Sequence, residues 1–179
     1  MEGDERIRLF LALRLADEAL DVLVAWQERE LRDAGRIVPR GNVHVTLAFL
    51  GARPAGELPA ILDVLGAAAA AETGAVELEV ERYRETRSAG MLVLRDRTGE
   101  ATRLADRLGE RLEQLGVLRR EQRPWLPHVT VLRYRTAPRL SPPLPELGTL
   151  VPSDAAAFLS RLHPGGARYE VLDTRSLGG

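Results

Sequence analysis

The sequence predicts a mixed fold of strands and helices built as two similar halves, and three observations carry that reading. Short apolar stretches with a period of two alternate with longer stretches whose apolar residues recur at helical spacing. The order strand, helix, strand occurs twice, a weak twofold pseudo-repeat. Each occurrence closes on a strand that contains His-Val-Thr, at His44-Val45-Thr46 and at His128-Val129-Thr130.

Taken in order, Ile7, Leu9, Leu11 and Leu13 alternate with Arg8, Phe10, Ala12 and Arg14, the pattern of a strand with one well-buried face. A helix follows to about Asp33, with Asp17 as its cap, Leu20, Leu23, Val24 and Leu31 on its buried face and Gly35 as its stop. Pro39 and Gly41 then interrupt the chain before a β-branched, apolar strand from Val43 to Leu50, which Gly51 ends. In that strand Val45, Leu47 and Phe49 share a parity, so Phe49 is assigned to the core. The alanine-rich stretch Glu57 to Ala71 reads as a second helix, and Val76, Leu78 and Val80 alternate with Glu77, Glu79 and Glu81 as a half-buried strand.

In the second half Met91 to Leu94 is a short strand. Thr98-Gly99 opens a helix that buries Ala101, Leu104, Ala105, Leu108, Leu112 and Leu115, and Gly116 closes it. Pro127 to Arg133 is the second motif strand. Pro138, Pro142, Pro143 and Pro145 mark an extended surface connection, because too few residues follow for another domain. Two late strands, Ala156 to Arg161 and Arg168 to Leu172, are joined by a turn at Pro164-Gly165-Gly166. At 179 residues the chain suits one domain spanning 1–179, with one sizeable core or two small lobes sharing a cleft.

Composition excludes several chemistries. Apolar residues make up 45% and charged residues 28%, with 25 basic against 26 acidic side chains, the balance of an ordinary globular chain. All 25 basic residues are arginine. Without lysine there is no Schiff-base nucleophile, no P-loop lysine and no lysyl-nucleotide intermediate. Without cysteine there is no thiol nucleophile, disulfide framework or cysteine metal site. No stretch approaches the length of a membrane span, and Glu2, Asp4, Glu5, Arg6 and Arg8 leave no apolar signal core at the start, so a cytoplasmic location is expected.

What remains for chemistry is histidine, carboxylate, hydroxyl and arginine. With nine threonines in the chain, a threonine two places after two of the three histidines is on the order of a 1% accident. Residues i and i+2 of a strand point to one face about 6.6 Å apart, so each His–Thr pair can touch one side of a phosphate. The interleaved Val45, Leu47, Val129 and Val131 then face the core. If the halves pack about a pseudo-dyad, two imidazoles and two hydroxyls confront each other across a groove, the parts that metal-free phosphodiester cleavage needs. Neither motif brings a carboxylate at strand spacing, so no metal and no other cofactor are expected. His163, beside Pro164-Gly165-Gly166, reads as an exposed turn residue.

From Arg119 to Arg139 six arginines stand against one glutamate, a local charge that favours a phosphate-bearing ligand. Arg133 differs from His128 by an odd number and shares its face only if the strand ends or bulges there, where its planar fork would suit a phosphate oxygen. Trp125 is open between core packing and base stacking.

The paired motifs and their surroundings resemble the LigT-like branch of the two-histidine phosphoesterases, the RNA 2′,3′-cyclic phosphodiesterases once called 2′-5′ RNA ligases. The resemblance runs through Arg8-Leu9-Phe10-Leu11-Ala12, Val38-Pro39-Arg40-Gly41-Asn42 before the first motif, Arg123-Pro124-Trp125-Leu126-Pro127 before the second, and Ser160, Gly166 and Tyr169. It implies an α+β, bilobal fold with two antiparallel sheets flanked by helices around a central cleft. It implies hydrolysis of an RNA 2′,3′-cyclic phosphate end to a 2′-phosphate, with ATP-independent 2′-5′ joining as the reverse sense. His44 and His128 match the catalytic positions, with His44 as acid and His128 as base, and Thr46 and Thr130 are the substrate-binding partners. The chain departs from the family at Ile37, where an aromatic residue is common, at Gly41, where an acidic one is, and at the bulky Tyr134 and Arg135.

The partner expected is an RNA with a 2′,3′-cyclic phosphate end, tRNA fragments among the candidates, or a small nucleotide, with no membrane and no obligate protein partner. Two other functions fit the same residues. One is a phosphodiesterase for small cyclic nucleotides or 2′-5′ oligonucleotides, and the other is a non-catalytic module that binds RNA ends.

Overall fold

A computed structural model describes residues 5–71 and 74–177 of the chain. Of the charged residues at the start, Glu2 and Asp4 lie outside the described residues. In chain order the elements are β1 (Arg6–Leu13), α1 (Asp17–Glu30), β2 (Arg36–Ile37), β3 (Val45–Pro54), α2 (Leu58–Ala70), β4 (Leu78–Glu85), β5 (Ala89–Asp96), α3 (Glu100–Leu115), β6 (His128–Arg133), β7 (Asp154–His163) and β8 (Gly166–Ser176). The strands form two antiparallel four-stranded sheets, ordered β3-β1-β7-β8 and β2-β6-β5-β4. The expected α+β class and pair of sheets are therefore observed. The pseudo-repeat corresponds to β1-α1-β3 in one half and β5-α3-β6 in the other, each motif strand pairing with the strand that precedes its helix.

A continuous apolar core takes Leu9, Leu11 and Leu13 from β1 together with Leu65 from α2, Leu108 from α3 and Val131 from β6. Burying such side chains contributes about 1.5–3 kcal/mol each, so the lobes share their main source of stability. β1 is buried on both faces. Phe10 and Ala12, on the side away from this core, pack with Ala156, Phe158 and Tyr169 in a separate small cluster.

Several local expectations need correction. Asp17 is the first residue of α1 and not its cap; it pairs instead with Arg40, and Ala16 occupies the cap position without a side-chain hydrogen bond. α1 ends at Glu30, and Trp26 joins its buried face, donating from Nε1 to the Pro143 carbonyl at 2.7 Å and so pinning the proline-rich connection. α3 opens after Gly99 (φ 78°) and closes at Gly116 (φ 82°), left-handed conformations that glycine adopts without cost. Leu115 in its last turn is exposed rather than buried. β3 does not stop at Gly51 but runs on to Pro54, and the two-residue β2 is too short to register as a period.

The feature that positions the site is a pair of equivalent β-bulges. Along β1 and β3, Ala12 pairs with Thr46 and Leu11 with Ala48, so Leu47 is an extra residue. Along β5 and β6, Met91 pairs with Thr130 and Gly90 with Leu132, so Val131 is extra. Each bulge lies three residues after its histidine, and an extra residue reverses the parity of the residues that follow it, in β3 until a second extra residue at Leu50.

Candidate active site

The reversal decides which side chains reach the cleft. Val45, Leu47, Val129 and Val131 are buried as expected, while His44, Thr46, His128 and Thr130 line a cleft of about 780 Å³ between the sheets. Phe49, assigned to the core by parity, is 55% exposed and lines the same cleft, because the Leu47 bulge pairs it with Phe10 on the opposite face. Arg133 stands at the equivalent station and likewise lines the cleft, meeting the condition that the strand bulge there. The two stations differ in chemistry: an aromatic ring in one half, a guanidinium in the other.

Each imidazole is oriented by the backbone two residues before it. His44 Nδ1–H donates to the Asn42 carbonyl at 2.8 Å, and His128 Nδ1–H donates to the Leu126 carbonyl at 2.9 Å. A carbonyl can only accept, so whenever either ring carries a single proton its Nε2 is the acceptor. In His44 it accepts from the Thr46 hydroxyl at 2.9 Å. Asn42 is itself held by a hydrogen bond from Nδ2 to the Ala167 carbonyl of β8 at 2.7 Å.

The surroundings of the two rings are unlike. His44 stacks on Phe10 with centroids 4.6 Å apart, and Phe158 and Tyr169 lie 5.7 and 5.5 Å away. Burial pushes its pKa down to about 4, opposed by the Asn42 carbonyl and reinforced by repulsion from His128 and Arg133. His44 is therefore neutral at pH 7 in the substrate-free cleft, and His128 and Arg133 stand near enough to act on it.

Of the six arginines between 119 and 139, Arg133 alone lines the cleft. Arg120 pairs with Asp106 and Glu110 on α3, and Arg123 pairs with Glu121, so the run does not form one patch. Sequence reasoning missed Arg36, which faces Arg133 in the β2–β6 register and also lines the cleft. Two like charges directly opposite on paired strands repel unless an anion sits between them. Arg36 also donates from NH1 to the Gly165 carbonyl at 3.1 Å, reaching the β7–β8 turn. His163 is exposed near that turn and outside the cleft lining, as expected.

Two side chains tie the motif strands to the opposite half. Trp125 donates from Nε1 to the Thr46 carbonyl at 3.0 Å and packs against the core, which settles its role as a tie between the motifs. Gln27, fully buried on α1, donates from Nε2 to the carbonyls of Val38 at 3.1 Å and Val131 at 2.9 Å. It therefore holds the bulge behind Arg133 and the chain that leads through Pro39 to His44. Its Oε1 has no hydrogen-bond partner, a cost accepted at the one buried polar side chain among the described residues.

Comparison with known proteins gives the chain a family. The family model of the 2′-5′ RNA ligase superfamily matches residues 16–162. A Thermus thermophilus protein named RNA 2′,3′-cyclic phosphodiesterase is 32% identical over 185 residues, covering 97% of this chain and 91% of that one. A solved structure from the same organism has a TM-score of 0.78 at 28% identity, covering 96% of this chain and 98% of that one. Escherichia coli LigT, solved with 3′-AMP, shares the fold at a TM-score of 0.83 and 24% identity, over 98% of this chain and 100% of LigT. With the family model spanning most of its length and a relative matched almost end to end, the chain belongs to the 2′-5′ RNA ligase superfamily.

Proposed function

We propose that the chain, acting as one bilobal domain over 1–179, is an RNA 2′,3′-cyclic phosphodiesterase in which His44 and His128 perform the proton transfers. The observation that carries this reading is the convergence of two His–Thr pairs, together with the opposed Arg36 and Arg133, on one cleft. Two imidazoles on facing strands can stand on opposite sides of a phosphorus atom, which in-line attack demands and one strand could not arrange. The Thr46 and Thr130 hydroxyls donate to the phosphoryl oxygens, and the Arg133 guanidinium offsets their charge.

In the step itself, His128 Nε2 takes a proton from water as the water oxygen bonds to phosphorus. The bond from phosphorus to the 3′-oxygen breaks, and His44 gives its proton to that oxygen, leaving a 2′-phosphate and a 3′-hydroxyl. Because substrate-free His44 is neutral, its proton arrives with the substrate: the phosphate anion counters the desolvation and positive charge that hold its pKa down. A 5′-hydroxyl in place of water gives a 2′-5′ linkage by the same transfers, the joining sense of the reaction.

The test is a chromatographic assay of an RNA bearing a 2′,3′-cyclic end. Conversion to the 2′-phosphate in the presence of EDTA is expected. Binding without turnover would make the protein an RNA-end binding module, and activity lost to EDTA and restored by one divalent ion would replace the two-histidine mechanism with a metal-assisted one.

A further inference from the structure

We propose that the site continues as a second, phosphate-binding track across the sheet β2-β6-β5-β4, ending at Arg82 and Arg84, which holds the RNA backbone 5′ to the cyclic end. This rests on the proposed function, which puts the cyclic end between His44 and His128. The argument begins with register. His128 pairs with Val93, and Val93 with Arg82; Thr130 pairs with Met91, and Met91 with Arg84. Directly paired residues project from one face of a sheet, so the two arginines stand in the same cross-strand rows and on the same face as the second motif. Neighbouring strands are about 4.8 Å apart, which puts β4 about 10 Å from the motif strand, within the span of the next nucleotides of a bound single strand.

The arginines owe this orientation to a bulge in β4. Val80 pairs with Leu94 and Arg82 with Val93, so Glu81 is an extra residue in β4. Before it, Leu78 and Val80 turn toward the core; beyond it, Tyr83 takes the core side and Arg82 and Arg84 the motif side. Without the bulge, Arg82 and Arg84 would follow Leu78 and Val80 inward. Met91, between Thr130 and Arg84, is only half-buried, so that row is the one partly open to solvent, whereas Val93, between His128 and Arg82, is buried.

Their charges are available. Arg84 is exposed and has no ion pair among the described residues, and Arg82 has only its exposed neighbour Glu81, at 3.3 Å. Exposed pairs of that kind contribute little, and a phosphate can displace them. By contrast Arg95 and Arg97, farther along the same hairpin, are both engaged by Glu79. Two arginines alternating on one strand face are about 6.6 Å apart, a spacing that lets each take a separate phosphate of a single-stranded backbone. A mononucleotide cyclic phosphate would not reach them. The substrate class that uses the whole surface is an oligonucleotide with several residues before its cyclic end.

The test compares the protein with its Arg82→Gln/Arg84→Gln variant on two substrates, a mononucleotide 2′,3′-cyclic phosphate and a hexanucleotide with the same end. The variant should raise KM for the hexanucleotide about tenfold more than for the mononucleotide with kcat preserved, and should lower the slope of log affinity against log salt by about 1.4. Equal effects on both substrates, or none on the hexanucleotide, would overturn the track. Fluorescence anisotropy with the corresponding 2′-phosphate products measures the same difference without turnover. If the unaltered protein hydrolyses neither substrate, the proposed function fails, and the anisotropy comparison still decides whether the track exists.

Discussion

His44 lies against Phe10 with Phe158 and Tyr169 around it, whereas His128 meets the Leu126 carbonyl on one side and the open cleft on the other. The backbone around them is nearly the same: a carbonyl two residues upstream fixes each ring, a threonine follows two residues downstream, and an extra residue comes next. At the fifth residue after each histidine one half presents Phe49 and the other Arg133. A repeated scaffold thus supplies two equivalent positions for the imidazoles we propose as proton carriers, with aromatic rings packed around His44 and Arg133 in the half that carries His128. On the proposed mechanism, the difference teaches that symmetry sets the geometry and packing divides the labour.

The largest test of this comparison removes the imidazoles. His44→Ala and His128→Ala should each lower turnover about a hundredfold to ten-thousandfold while largely sparing the fold, as judged by steady-state kinetics and circular dichroism. The double variant should be scarcely slower than the poorer single one, because the two act as a unit. Multiplicative losses would show that the halves work independently.

Next in size are the hydroxyls. Thr46→Val and Thr130→Val keep the β-branched shape but delete a donor, and turnover should fall about tenfold to a thousandfold by analogy with oxyanion donors. In the substrate-free cleft the Thr46 hydroxyl donates to His44, so its variant should shift the pH profile where that of Thr130 does not. Unchanged kinetics in both would reduce the hydroxyls to strand packing.

The apolar surroundings of His44 should be visible in stability. Its pKa of about 4 in the fold lies below the ordinary value of 6.5, so the unfolded chain takes up the proton first as pH falls. The contribution is intact above pH 6.5 and is lost progressively down to pH 4, by up to about 3 kcal/mol. Chemical unfolding of the protein and of His44→Gln at both ends of this range should show the gap between them changing by that amount. A constant gap would mean that the aromatic side chains do not exclude water from the ring.

The smallest effect belongs to Gln27. Gln27→Leu removes donors from the Val38 and Val131 carbonyls but also removes the unpartnered Oε1, so a net loss of about 1 kcal/mol is expected. KM should rise a few-fold through the slackened bulge behind Arg133, and that rise should vanish in an Arg133→Ala background while the stability loss persists. A rise that persists there would make Gln27 a packing residue only.

Much of this is legible in the sequence. The two His-Val-Thr strands, the core parity of Val45 and Val129, and α3 between Gly99 and Gly116 follow from period and glycine position. The bulges do not, because one extra residue leaves no mark in composition; parity alone puts Phe49 on the wrong face for that reason, and Arg133 needs a bulge that only the pairing reveals. Arg36 sits in a strand too short to have a period. The contacts of His44 with Phe10, Phe158 and Tyr169 join β1, β7 and β8, and no local pattern announces such an encounter.

The central claim of the proposed mechanism is that His44, packed among aromatic rings, supplies the acid and His128, in the half that bears Arg133, the base. It is tested most directly by giving each single-alanine variant a phosphodiester whose leaving group needs no proton, such as a nitrophenyl ester, beside the RNA cyclic phosphate. The account predicts that the activated ester restores much of the rate to His44→Ala and little to His128→Ala. Equal rescue of both, or rescue of His128→Ala alone, would contradict it.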